Sequence, residues 1–418
     1  MKLVINVACV LLLSVGITQA QSSNGTHWVS AWSTAVQTPR PMGPAGKSPP
    51  EFENQTIRMV VRMTIGGDRL RVRFSNEFGT APLTIGAARL ALVRKDGAII
   101  PETDRALTFN GDRSVQIPAG APMLSDAANL DFPQFAEIAV SIYLPSRQTA
   151  STFHQLGQHE TYLGSGDLTG SEQISNPSTT NAWYFLASVE TAAPATTGAV
   201  VAFGDSITDG FGAKVQYGDW PNQLVGRLGA EKGTPALAVD NEGIGGNRVL
   251  HDGAGVDALA RMDRDVFSLP AVRDLIVLEG INDIGWPSMK PRKAPDGTMR
   301  ENPWAKEQVD AKEIIAGLKQ IIDRAHEHGI RVFGATMTPY EGADYYTPDG
   351  EVIREAVNQW IRTGNAFDGV FDFDAAVRDP SQPTKFREDM QTGDHLHPNA
   401  SGYKAMAAAI DLKALRGK

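Results

Sequence analysis

The sequence predicts two structural units in series: an antiparallel β-sandwich of jelly-roll-like character, then a parallel α/β sheet covered by helices. Three observations carry this. From about residue 55 to 165, polar and apolar residues alternate in short runs, the period of half-buried strands. From about residue 198, short apolar runs alternate with segments at helical spacing, the pattern of a parallel sheet with both faces covered. With 418 residues, the chain is long for one core and comfortable for two.

In chain order, "MKLVINVACVLLLSVGITQA" comes first, with Lys2 as a small positive region, an apolar run and a small residue at Ala20. It reads as a signal peptide over 1–20, too short for a membrane span, so the expected location is secreted or periplasmic. The single cysteine, Cys9, lies inside it, so the expected mature chain has no disulfide, cysteine–zinc site or Cys nucleophile. Residues 21–190 are assigned to the sandwich. "QTIRMVVRMTI" and "DRLRVRFSNEF" flank a turn at Gly66-Gly67-Asp68, "RLALVRKDGAII" bends at Asp96-Gly97, and "EIAVSIYLP" stops at Pro145. The small residues of 191–197 read as a linker.

Over 198–418 the apolar runs "AVVAFGD", "ALAVDNEG", "DLIVLEG", "RVFGATMTP" and "GVFDFD" read as strands. The segments between them, notably "DAKEIIAGLKQIIDRAHEHG" and "EVIREAVNQWIRTG", have helical spacing. Apolar residues at 42%, charged residues at 21% and a net charge of −9 fit a globular protein and argue against nucleic acid as a partner.

Ligands of open parallel sheets sit beyond the carboxyl ends of the strands. There the chain places Gly204-Asp205-Ser206, then a loop with Gly245-Gly246-Asn247, then Gly280-Ile281-Asn282-Asp283. Ser206 suits an exposed nucleophile at a strand-to-helix turn, while a glycine N–H and the Asn282 amide suit an oxyanion. Asp394-His395-Leu396-His397, ahead of the last helix, offers a base and its orienting carboxylate. Alternate residues of an extended segment face one way, so His395 and His397 also suit a metal pair. A second D-x-x-H, Asp323 to His326, lies in a helix whose apolar face is Ile314, Leu318, Ile321, Ile322 and Ala325. That puts Asp323 toward solvent and His326 and His328 in the last turn, where cations favour the helix dipole.

Singly these signals are weak; as an ordered set they resemble the SGNH (GDSL-type) hydrolases. The family's G-D-S, Gly, G-x-N-D and D-x-x-H elements match Gly204-Asp205-Ser206, Gly246, Gly280-Ile281-Asn282-Asp283 and Asp394 to His397, in order, over roughly 198–418. The resemblance implies a three-layer α/β/α esterase working without metal or cofactor. It implies Ser206 as nucleophile, His397 as base and acid, Asp394 as orienter, and an oxyanion hole from Ser206 N–H, Gly246 N–H and Asn282. Gly245 is the near alternative to Gly246, and His395 becomes a loop contact.

"HWVSAWSTAVQTP", "RVRFSNEFGTAPLTIGAARLAL" and "SIYLPS" resemble the β-sandwich fused ahead of the hydrolase in exported bacterial members often associated with acetylated plant polysaccharides. The expected activity is hydrolysis of acyl, above all acetyl, esters on a small-molecule or polysaccharide substrate. The alternatives are a broad carboxylesterase or lysophospholipase, and a non-catalytic carbohydrate-binding protein. Segment 286–304 reads either as a flap that offers Trp286 or Trp304 to a sugar, or as a surface loop anchored by them.

Overall fold

The computed structural model describes residues 25–39, 49–95, 97–157, 159–231, 235–293 and 297–416; the expected signal segment lies outside them. The long strands of the N-terminal half are β1 (Thr26–Ser33), β2 (Gln55–Arg62), β3 (Gly67–Ser75), β4 (Ala87–Leu92), β5 (Glu137–Leu144) and β6 (Leu186–Pro194). β6 pairs antiparallel with β1 and β3 in a five-stranded sheet, and β5 pairs antiparallel with β2 and β4 in a six-stranded one. Ile57, Met59 and Val61 of one sheet share a core with Leu70, Val72 and Phe74 of the other. These are every second residue of their strands, which is why alternation located them.

The other face of β2 is buried too, and it includes a charge. Alternation sends Arg58 away from that core, yet it is only 2% exposed. Residues 168–172 cover it, and its guanidinium donates to Ser141 Oγ and to the carbonyls of Leu168, Thr169, Ser171 and Glu172. Carbonyl acceptors make burial of the charge tolerable.

Most of the expected linker 191–197 is strand instead. β6 continues to Pro194, with Thr191, Ala192 and Ala193 opposite Val29, Trp28 and His27 of β1. Small residues pack closely there, and Ala193 belongs to the sandwich core.

The C-terminal half holds β7 (Gly198–Gly204), β8 (Leu237–Gly243), β9 (Val272–Leu278), β10 (Arg331–Ala335) and β11 (Gly369–Phe371), all parallel, in the spatial order β8-β7-β9-β10-β11. The helices used below are α1 (Ser206–Asp209), α2 (Trp220–Ala230), α3 (Ala258–Met262), α4 (Ile281–Gly285), α5 (Ala311–Glu327), α6 (Pro348–Thr363) and α7 (Ala400–Ala408). Val201 and Phe203 of β7 pack with α5 and α6 on one face of the sheet, while Val200 and Ala202 pack with α2 and α7 on the other. Both faces are therefore covered, and the domain is a three-layer α/β/α structure.

α5 buries the predicted stripe, Ile314, Leu318, Ile321, Ile322 and Ala325. Burial of each Ile or Leu side chain there is worth about 1.5–3 kcal/mol. Asp310 and Glu313 form a capping box at the start of the helix. At its far end His326 is exposed and lies 2.8 Å from Asp368 Oδ2, a polar pair at the helix end.

The two halves meet along the outer edge of β8. Thr34 makes a parallel bridge to Asn241, Ser30 Oγ donates to Asp240 at 2.8 Å, and Ser33 Oγ donates to Glu242. The sandwich thus covers an edge that would otherwise be open to pairing. Among the described residues, no helix is long and apolar enough to cross a membrane.

Candidate active site

β7 lies between β8 and β9, so the chain's order reverses at its carboxyl end, the switch point where open sheets bind ligands. Ser206 sits there. A Cβ at Gly204 would fall 2.1 Å from Thr208 Oγ1 and 2.6 Å from Leu278 O, so only glycine lets the strand turn this tightly into α1. Asp205 caps the turn, accepting from Ile207 N–H at 2.8 Å. Burial is the main reason its carboxyl is pushed up to about 7, with Asp283 and Asp209 adding repulsion against the N–H and Arg261.

His397 arrives on the loop before α7, whose first turn Asn399 caps. Its Nε2 lies 2.8 Å from Ser206 Oγ, and its Nδ1 lies 2.6 Å from Asp394 Oδ2. A carboxylate accepts, so Nδ1 carries the hydrogen and Nε2 is left to accept from the serine. Asp394 Oδ1 also accepts the N–H groups of Leu396 (3.0 Å) and His397 (2.9 Å). Partial burial works to raise the Asp394 pKa. The His397 hydrogen bond and the two N–H groups outweigh it and hold the carboxyl well below the usual range. His395 has a left-handed backbone, φ 61°, which breaks the alternation that would pair its ring with that of His397; its ring lies over Gly342 instead.

The loop after β8 brings up the glycines. Gly245 N–H is committed to Asp209 Oδ2 at 3.1 Å. Among the described residues, the N–H groups of Gly246 and Ser206 have no protein acceptor and border the same cavity. Gly246 has φ +78°, and a Cβ there would lie 2.6 Å from the Trp286 ring and 2.8 Å from Ala254 Cβ. Asp283 clamps the loop by accepting from Val249 (2.7 Å) and Leu250 (3.0 Å). Arg261, fully buried, ties the strand ends together through Gly204 O, Glu242 O and Asn247 Oδ1. Asn282 donates one amide hydrogen to Asn247 O at 3.0 Å, and its Oδ1 accepts from Tyr345 OH at 3.3 Å. The second amide hydrogen remains for the cavity.

That cavity has a volume of about 310 Å³ and brings together Ser206, Gly246, Asn282 and His397, four of the five residues the sequence singled out; Asp394 stands behind His397. It also holds residues that sequence reasoning missed: Phe211, Tyr345, and Gln37, Gln155 and Leu156 from the N-terminal half. Asp209 carries a faint signal, three residues after Ser206 in the same motif, and Tyr345 stands in a tyrosine-rich loop. Nothing in the sequence links residues 37 and 154–156 to a serine 50 or more positions away. Trp286 is a buried wall of the cavity, 7% exposed, packed on Trp304 at 4.5 Å; of the two readings of segment 286–304, anchoring describes this ring.

Residues 202–405 match the model of the GDSL-like lipase/acylhydrolase family. No curated protein matches the sequence. Among solved structures, the chain is similar to an acetyl xylan esterase, AlAXEase (22% identity, 50% of this chain and 96% of that one, TM-score 0.36). It is also similar to the acetylxylan esterase Axe2 of Geobacillus stearothermophilus (21%, 51% and 91%, TM-score 0.37) and to a G-D-S-L family lipolytic protein of Veillonella parvula DSM 2008 (19%, 50% and 94%, TM-score 0.37). The C-terminal half of this chain belongs to the GDSL-like lipase/acylhydrolase family, and the protein is a hydrolase that cleaves esters.

Proposed function

We propose that the protein is a serine esterase that removes short acyl groups, acetyl above all, from carbohydrate esters. The observation that carries the serine mechanism is the unbroken line Ser206 Oγ, His397 Nε2, His397 Nδ1, Asp394 Oδ2, with steps of 2.8 and 2.6 Å across the hydrogen bonds. His397 takes the proton of Ser206 as Oγ attacks the ester carbonyl. The oxygen of the tetrahedral intermediate is held by Ser206 N–H, Gly246 N–H and Asn282 Nδ2, and each such donor is worth roughly 2.7–4 kcal/mol. His397 then protonates the leaving alcohol, and a water deprotonated by the same ring releases the acid. Asp394, held ionised, keeps Nδ1 protonated and stabilises the imidazolium as it forms.

Short acyl groups are favoured by the wall beside the serine. Leu156 Cδ1 would lie 3.2 Å from a Cβ at Gly245, a point 4.0 Å from Ser206 Cβ. The carbohydrate side rests on the resemblance of the N-terminal half to sandwiches of polysaccharide-acting members. Acetate release from acetylated xylan, acetylated pectin and simple acetate esters tests the reading, with Ser206→Ala as control. Release from simple esters alone would favour the broad carboxylesterase instead, and no release from any would favour a binding protein.

A further inference from the structure

His154 belongs to the N-terminal half, is 2% exposed, and points at the catalytic turn. Its backbone is fixed by pairing of residues 153 and 154 with Tyr184 and Trp183, and its ring lies 5.7 Å from that of Trp183. Nδ1 is 2.8 Å from the Ala35 carbonyl, and Nε2 is 3.1 Å from Asp209 Oδ1. A carbonyl and a carboxylate both accept, so both ring nitrogens carry hydrogens and the ring is an imidazolium. Burial opposes that charge, but Asp209, the Ala35 carbonyl and the more distant Asp265 raise the His154 pKa above its usual value. Asp209 in turn uses its other oxygen, Oδ2, to accept the Gly245 N–H at 3.1 Å. It closes the single helical turn that Ser206 opens, and it is itself 6% exposed.

We infer that His154 is a positioning residue for the oxyanion site. Through Asp209 it fixes the peptide between Ile244 and Gly245, next to the one that carries the Gly246 N–H, and its positive charge cancels the carboxylate that does the fixing. The second part matters because the carboxylate stands close to where negative charge develops. Asp209 Oδ2 lies 3.6 Å from a Cβ built on Gly245, and that Cβ lies 4.0 Å from Ser206 Cβ. An unneutralised anion there repels the tetrahedral intermediate more than the neutral ester, so it raises the barrier without weakening substrate binding. The inference rests on the serine-esterase reading and adds to it that the N-terminal half completes the catalytic electrostatics.

The test is a double-mutant cycle on the full chain with p-nitrophenyl acetate, with thermal unfolding followed in parallel. His154→Gln keeps a donor for the Ala35 carbonyl but loses the charge. Its kcat is expected to fall by roughly tenfold or more with KM changed by less than about twofold. In His154→Gln/Asp209→Asn, the new asparagine side chain can still accept from Gly245 N–H and donate to the new glutamine amide, and the anion is gone. The expected result is recovery of kcat to within about threefold of wild type. Asp209→Ala, which leaves Gly245 N–H without its acceptor, should also lose roughly tenfold in kcat at near-constant KM. An unchanged kcat in His154→Gln or Asp209→Ala, or a double variant no better than His154→Gln, overturns the inference. Turnover persisting in Ser206→Ala would instead defeat the esterase reading, whereas its loss there beside an active His154→Gln defeats only the role of His154.

Discussion

At the scale of single residues, the site depends on hydrogen bonds that leave chosen groups free. Gly245 N–H is taken by Asp209, so Gly246 N–H is the one that faces the cavity with Ser206 N–H. Asn282→Ala should lower kcat on p-nitrophenyl acetate by roughly 10²–10³ with little change in KM, because the donor acts on charge that develops only in the transition state. Tyr345→Phe should lower kcat by about fivefold, since it removes a hydrogen bond of about 1 kcal/mol that orients Asn282. A loss in KM rather than kcat for either variant would place the side chain on the substrate instead. Ser206, Asp394 and His397 were legible in the sequence as candidates because they lie within short motifs, and the fold brings them together. Tyr345 and Asp209 were not, because their roles depend on which neighbour the fold brings to a side-chain oxygen.

At the scale of elements, the interface strand β8 carries buried carboxylates. Asp240 accepts from Ser30, its other oxygen has no hydrogen-bond partner among the described residues, and burial pushes its carboxyl up to about 7 against the lowering effect of Ser30 and Ser33. A raised folded pKa means that the carboxyl is more readily protonated in the folded state. Its stabilising contribution is therefore full below the unfolded value of about 3.9 and is lost as pH rises through about 7. Asp240→Asn should flatten the fall in unfolding free energy between about pH 4 and 7, read from urea melts. An unchanged slope would mean that Asp240 stays paired and ionised throughout. The sandwich strands and the helices were readable because periods of two and 3.6 survive in the sequence, and the parallel strands because burial on both faces leaves short apolar runs. The end of β6 was not, because Ala192 and Ala193 are small for packing reasons and resemble a linker in isolation.

At the scale of the whole molecule, the sandwich lines the candidate site. Gln37, Gln155 and Leu156 wall the cavity, and Gln37 Nε2 donates to the Ala254 carbonyl of the opposite half. Leu156→Ala should shift the ratio of kcat/KM for butyrate over acetate esters upward by roughly tenfold, the worth of burying about two methylenes. A ratio that does not move would mean that the acyl group lies elsewhere in the cavity. The architecture of each half followed from its own alternation of residues, but the meeting of the halves did not. Contacts such as Ser30 with Asp240 and His154 with Asp209 join residues 210 and 55 positions apart and leave no periodic trace.

Everything proposed for the chemistry depends on Ser206 being the nucleophile served by His397 and Asp394. The most direct measurement is kcat/KM for p-nitrophenyl acetate in Ser206→Ala, with folding checked by circular dichroism. The expected result is a loss of roughly 10⁴–10⁶-fold in a protein that remains folded. Turnover close to wild type in that folded variant would contradict the assignment.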